Sequence, residues 1–139
     1  MRVFVTGGAG FIGIHLCKKL ALLHKVTVYD NFSNSNKENF PVMENVTLIV
    51  GDILDNSKLL YSMKNHDVVI HLAAKTDVID SIKNPDNTFQ TNVKGTQNVL
   101  DSCKSNNILK IIITSSAAVY KNSNNSVDEI STTEPLSPY

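Results

Sequence analysis

The sequence predicts an α/β fold: a parallel sheet doubly wound by helices into three layers, with strand order 3-2-1-4-5. Three observations predict it. Short apolar, β-branched runs alternate with segments of helical spacing, no pair of runs is joined by a hairpin-type dipeptide, and the first strand enters the first helix through a glycine-rich turn.

The glycine-rich turn is Thr6-Gly7-Gly8-Ala9-Gly10-Phe11-Ile12-Gly13, following the strand Arg2-Val3-Phe4-Val5. Two glycine registers overlap in it: Gly8, Gly10 and Gly13, or Gly7, Gly10 and Gly13. In either, one glycine permits the tight turn, one lets a pyrophosphate approach the backbone, and Gly13 lets the helix pack close to the sheet. The helix start then offers N–H donors and positive partial charge to an anion. This predicts a bound nucleotide.

Composition narrows the ligand further. The 139 residues suffice for one domain, and 13 basic against 13 acidic side chains give a formal net charge of zero. With 42% hydrophobic and 19% charged residues this is an ordinary soluble composition. Arg2 is the single arginine, so nothing favours nucleic acid and a small molecule is expected. No apolar run reaches the ~20 residues that span a bilayer, and the chain starts in a strand rather than a signal peptide. Cys17 and Cys103 are far apart in helical patterns, which argues against a disulfide or a metal site and for a cytoplasmic protein.

Each later element follows from its pattern. Ile12, Leu16, Leu20 and Leu23 form an apolar stripe on a helix ending near His24-Lys25. Val26 to Tyr29 is the second strand, closed by Asp30, 20 residues after Gly10, where a carboxylate either accepts from ribose hydroxyls or begins a turn. Its charge would repel a 2′-phosphate and favours NAD over NADP. Residues 31–45 read as a polar loop, and Val46 to Val50 as the third strand. Asp52-Ile53 at its end could flank an adenine, the carboxylate toward the amine and the isoleucine against the ring; equally, Asp52 or Asp55 starts the helix carrying Leu59, Leu60 and Met63.

Asp67 to Ala74 is a continuous apolar run ending in alanines, the pattern of a central strand buried on both faces. Leu72, Ala73 and Ala74 lie where ligands sit in such sheets and would meet a cofactor through their backbone. His71, inside the run, reads as a hydrogen-bonded core residue rather than a base. Pro85 opens a long helix with Phe89, Val93, Thr96, Leu100 and Cys103 as its stripe. Asn92 on it reads as a solvated polar position. Ile108 to Ile113 is the fifth strand, and Thr114 to Tyr120 brings hydroxyls to the same sheet edge as the glycine turn.

Taken together these motifs resemble the extended short-chain dehydrogenases/reductases, Rossmann-like enzymes, and within them the NAD-dependent nucleotide-sugar epimerases. The resemblance rests on the glycine turn, Tyr29-Asp30-Asn31 with Ser33 to Ser35, Gly51-Asp52-Ile53, His71-Leu72-Ala73-Ala74, Thr91 to Thr96, Thr114 to Tyr120 and Ser137-Pro138-Tyr139. It implies a cofactor-binding set of Gly7, Gly10, Phe11, Ile12, Gly13, Asp30, Asn31, Ser33, Asn34, Ser35, Asp52, Ile53, Leu72, Ala73, Ala74 and Asn92. It also implies that Ser116 is the catalytic serine and Tyr139 the tyrosine of a Tyr-x-x-x-Lys motif. A phenol with the usual pKa of about 10 needs a neighbouring cation to act as a base at neutral pH. The implied substrate is a nucleotide sugar, a UDP-sugar foremost, and the implied assembly a homodimer through helices represented here by Phe89 to Cys103.

Two departures qualify the resemblance. The sequence ends before the motif lysine, implying that residues 1–139 are a truncated NAD-binding domain without the substrate domain, with weak nucleotide affinity and little turnover. Lys121 also stands where the family usually has glycine. The alternatives are a dehydratase, reductase or decarboxylase of the same family, or a non-catalytic dinucleotide sensor. Dehydratases often carry an Asp-Glu pair where Ala117-Ala118 stand, and a sensor needs neither Ser116 nor Tyr139.

Overall fold

In the computed structural model of the protein, residues 1–124 and 126–139 are described. The strands are β1 (Arg2–Thr6), β2 (Lys25–Asp30), β3 (Val46–Val50), β4 (Val68–His71) and β5 (Lys110–Ile113). They form one five-stranded sheet in the order β3-β2-β1-β4-β5, every pairing parallel. This is the predicted order.

Helices cover both faces. On one face, α1 (Phe11–Leu20) packs Cys17 and Ala21 against Val3, Val5, Val26, Val28 and Ile70. On the other, α2 (Asn56–Ser62) and α5 (Thr96–Ser105) bring Leu59, Met63, Val99 and Cys103 onto Phe4, Tyr29 and Val69. A parallel sheet must be covered on both sides because its strands are apolar throughout. The covering is uneven: beside α1, a groove of about 620 Å³ runs over Val68, Ile70, Leu109 and Ile112.

Several elements differ from the sequence reading. The first helix stops at Leu20, and Ile12 and Leu23 are exposed rather than buried. It docks through the small residues Gly13, Cys17 and, just past its end, Ala21, with Leu16 and Leu20 of the predicted stripe partly buried beside them. The long helix after Pro85 is a composite of α4 (Pro85–Phe89), a π-turn (Gln90–Gly95) and α5. Its buried side is Thr88, Gly95, Val99 and Cys103, while Phe89, Val93 and Leu100 face solvent. A side chain at Gly95 would collide with Ile53, so close packing there selects the small face.

Two features were not expected at all. A short helix, α3 (Val78–Lys83), precedes α4, capped by Asp77 accepting from the Asp80 N–H. Beyond β5, an antiparallel clasp pairs Tyr120 with Thr133, and Lys121 donates its N–H to the Thr132 carbonyl. Lys121 closes this clasp with a surface ion pair to Glu134 at 3.0 Å.

Candidate functional site

The site is the crevice at the C-terminal ends of β1, β2, β3, β4 and β5, where an open α/β sheet binds ligands. At its centre Gly7 turns the chain with φ +69, a left-handed conformation that suits glycine. A Cβ on Gly7 would also lie 2.5 Å from the Ala73 backbone nitrogen. A Cβ on Gly13 would reach the Gly7 oxygen at 2.6 Å, whereas at Gly10 it would meet that oxygen only at 3.3 Å. A Cβ on Gly8 would lie 2.9 Å from the Val28 side chain, so Gly8 too is closely packed, and of these four glycines Gly7 alone has positive φ.

The start of α1 is uncapped by any side chain. Gly10 provides no side-chain cap, and the first turn holds no acidic residue among those described. Its N–H groups thus stay available, with the helix dipole behind them. Phe11 and Ile12 project outward at the mouth, at 84% and 61% exposure.

A carboxylate braces the turn from β2. Asp30 accepts from the Ala9 N–H at 3.0 Å through Oδ2 and from the Phe32 N–H at 2.8 Å through Oδ1. Asp30 thus begins a turn, as one of its two sequence readings has it, and ties that turn to the glycine loop. Phe32 holds φ 58, a strained value for a side-chain-bearing residue. Asn31 donates to Asp52 Oδ2 at 2.9 Å and accepts from the Ser33 N–H at 3.0 Å. Asn34 is exposed and Ser35 half-buried in the loop that follows.

Asp52 accepts from the Leu54 N–H, while Asp55 caps α2 by accepting from the Lys58 N–H. Of the two, Asp55 is therefore the residue that starts the helix. Ile53 corrects the sequence reading: it is 5% exposed and packed in the core, and its carbonyl accepts from Asn98. It has no side-chain face to offer a ring. Burial, with Asp55 and Asp52 nearby, pushes the Tyr29 phenol up to about 12, and it donates to the Asp52 carbonyl at 3.0 Å.

Across the crevice, the Leu72 N–H donates to the Thr6 carbonyl at 3.0 Å. Leu72 and Ala73 are half-buried and Ala74 exposed, and Ala73 sets its backbone against Gly7. Asn92 is not a solvated position. It grips the Lys75 peptide at both ends, accepting from its N–H at 2.8 Å and donating to its carbonyl at 2.9 Å.

Comparison with known proteins agrees with this fold. A family profile described as the NAD dependent epimerase/dehydratase family matches residues 3–139. The chain belongs to that family. A putative UDP-glucose 4-epimerase of Methanocaldococcus jannaschii is 40% identical over 99% of the chain and 46% of its own length. A dTDP-glucose 4,6-dehydratase of Mycolicibacterium smegmatis is 34% identical over 78% of the chain and 34% of its own. Among solved structures, a UDP-glucose 4-epimerase from Brucella ovis in complex with NAD superposes with TM-score 0.90 at 36% identity, covering 99% of the chain and 43% of that protein. The chain thus spans less than half the length of each of these three relatives.

The remaining positions of this epimerase/dehydratase chain lie after β5. Ser116 is half-buried and caps a short 3-10 turn, its Oγ accepting from the Ala118 N–H at 3.1 Å. Tyr139 is half-buried, and no hydrogen bond among the described residues joins it to Ser116. Sequence reasoning missed the supporting roles of Thr6 and Thr96, which bond to the two nitrogens of His71. The available signal was Thr96 four residues after Asn92, a spacing at which a threonine hydroxyl reaches back to a helical carbonyl. Among the described residues no His, Cys, Asp or Glu cluster could hold a metal, and no helix is long and apolar enough to cross a membrane.

Proposed function

We propose that the whole protein is an NAD-dependent nucleotide-sugar epimerase acting on UDP-sugars, and that residues 1–139 are its dinucleotide-binding domain. The observation that carries this reading is the uncapped, acid-free start of α1 at Gly10 beside the left-handed turn at Gly7. In this reading the pyrophosphate lies against Gly10, Phe11, Ile12 and Gly13. Asp30 and Asn31 hold the adenosine ribose, since each Asp30 oxygen has accepted one N–H and keeps a further lone pair. Ser33, Asn34 and Ser35 line the adenosine side, and Asp52 meets the adenine amine. Ala73, Ala74 and Asn92 wall the nicotinamide side.

When bound, the nicotinamide supplies a reversible hydride acceptor. The chain's residues manage protons. Tyr139 takes the proton of a sugar hydroxyl while Ser116 donates to the same oxygen as its carbon becomes a carbonyl. After the keto sugar turns its other face, Tyr139 returns the proton. Ala117 and Ala118 carry no acid or base, which favours epimerisation over dehydration. Exposed Phe89, Val93 and Leu100 support pairing of two copies through this helix.

Titration of the chain with NADH and NADPH tests the cofactor. NADH is expected to bind at least about tenfold more tightly, because Asp30 opposes a 2′-phosphate; equal affinities would reject the role of Asp30. For the reaction, interconversion of UDP-glucose and UDP-galactose by the whole protein should fall by orders of magnitude in Tyr139→Phe, and unchanged turnover would remove Tyr139 as the base.

A further inference from the structure

A buried row of hydrogen bonds runs beneath the crevice from the glycine turn to Asn92, with His71 at its centre. Thr6 and His71 are neighbours in the β1–β4 register, and Thr6 Oγ1 lies 2.6 Å from His71 Nδ1. On the other side of the ring, Nε2 lies 2.9 Å from Thr96 Oγ1. Thr96 gives its one hydroxyl proton to the Asn92 carbonyl at 2.7 Å, so its oxygen accepts from His71 and Nε2 carries the ring proton. Nδ1 is then an acceptor and takes the Thr6 proton, while the Thr6 oxygen faces the Ala73 N–H at 3.5 Å. Donation runs one way through the row. Neutral imidazole protonated on Nε2 satisfies it, and burial, which lowers His71 to about 4, maintains that state at neutral pH.

We propose that His71 is a positioning residue for the nicotinamide half of the dinucleotide site, acting through Thr96 on the π-turn that carries Asn92. The inference rests on the dinucleotide reading above. His71 is 4% exposed and does not itself reach a ligand. Its effect is mechanical. The Thr96 hydroxyl bonds the Asn92 carbonyl inside a π-turn, a departure from the regular helical pattern that is frequent at functional sites. With Thr96 held by His71, the Asn92 backbone is fixed and its amide can grip both ends of the Lys75 peptide. That grip sets the segment from Ala73 to Lys75 beyond the end of β4, along the crevice. The glycine turn and the Asn92 wall are thereby held at a fixed separation by one ring.

The test uses ligands that differ in reach. NADH extends into both halves of the site, whereas ADP has only the adenosine and pyrophosphate portion. Thr96→Val removes the hydroxyl at nearly constant volume, and Thr96→Ser retains it. Calorimetric titration should show Thr96→Val weakening NADH about tenfold with ADP unchanged within about twofold, and Thr96→Ser resembling the parent. Equal loss for both ligands, or undiminished NADH affinity, would overturn the assignment. If circular dichroism shows Thr96→Val unfolded, His71→Gln is titrated with the same two ligands, and a selective loss of NADH supports the assignment while an equal loss or none overturns it. A parent chain that binds neither ligand would reject the dinucleotide reading itself.

Discussion

Gly7 and Gly10 are three positions apart and are required for different reasons. Gly7 combines φ +69 with backbone contact to Ala73, so any side chain there strains the fold. Gly10 opens onto the anion cradle, and its nearest obstacle to a Cβ is 3.3 Å away. Gly7→Ala is expected to destabilise the chain by more than ~1 kcal/mol in urea unfolding and to lose nucleotide binding as a consequence. Gly10→Ala should unfold within about 0.5 kcal/mol of the parent, yet bind NADH at least about tenfold more weakly as its methyl occupies the phosphate approach. If Gly10→Ala binds NADH normally, the cradle is misassigned. The sequence displayed the glycines but not their division of labour, because spacing alone fits two registers.

At the scale of elements, the strands were legible and the helix orientations were not. Val3, Val5, Val26, Val28, Val69 and Ile70 announce themselves because a strand buried on both faces must be apolar at successive positions. A helix leaves a choice of faces, and here the small face is the buried one. Gly13-Cys17-Ala21, along α1 and just past its end, and Gly95-Val99-Cys103, from the last residue of the π-turn into α5, repeat every four residues and pack inward, leaving the larger Ile12, Leu23 and Leu100 outward. Close approach of helix to sheet outweighed side-chain hydrophobicity, and Gly13 and Gly95 record where the approach is tightest. The π-turn was also invisible, since a change in hydrogen-bond spacing has no fixed side-chain signature. The core positions of the site were legible, but Asn92 was misread because its clamp on Lys75 depends on that turn. The orientation is testable by paired truncation. Val99→Ala, at a site with 0% exposure, should lower unfolding free energy by ~2 kcal/mol, and Leu100→Ala, at 37% exposure, by less than half as much. The reverse ranking in urea unfolding would show the helix to be turned the other way.

For the molecule as a whole, the acid side of its stability depends on groups kept neutral inside it. His71 has a folded value of about 4 against an ordinary 6.5, so protons bind the unfolded chain more strongly than the folded one in that interval. Its contribution is fully present above pH ~6.5, declines as pH falls, and is gone once pH passes below the folded value. The limit of that contribution is about 3 kcal/mol, a large share of the ~5–15 kcal/mol that holds a domain together. His66 acts in the same direction, lowered by burial and by Arg2 against the opposing pull of its hydrogen bonds to Met63 and Lys64 and of Asp67. Urea midpoints measured from pH 8 to pH 5 should therefore stay level down to about 6.5 and then fall. His71→Gln, which has no titrating ring, should flatten most of that fall while starting from a lower plateau. A parallel decline in parent and variant would assign the acid sensitivity elsewhere and would remove the neutral, one-way hydrogen-bond row as a feature of the folded state.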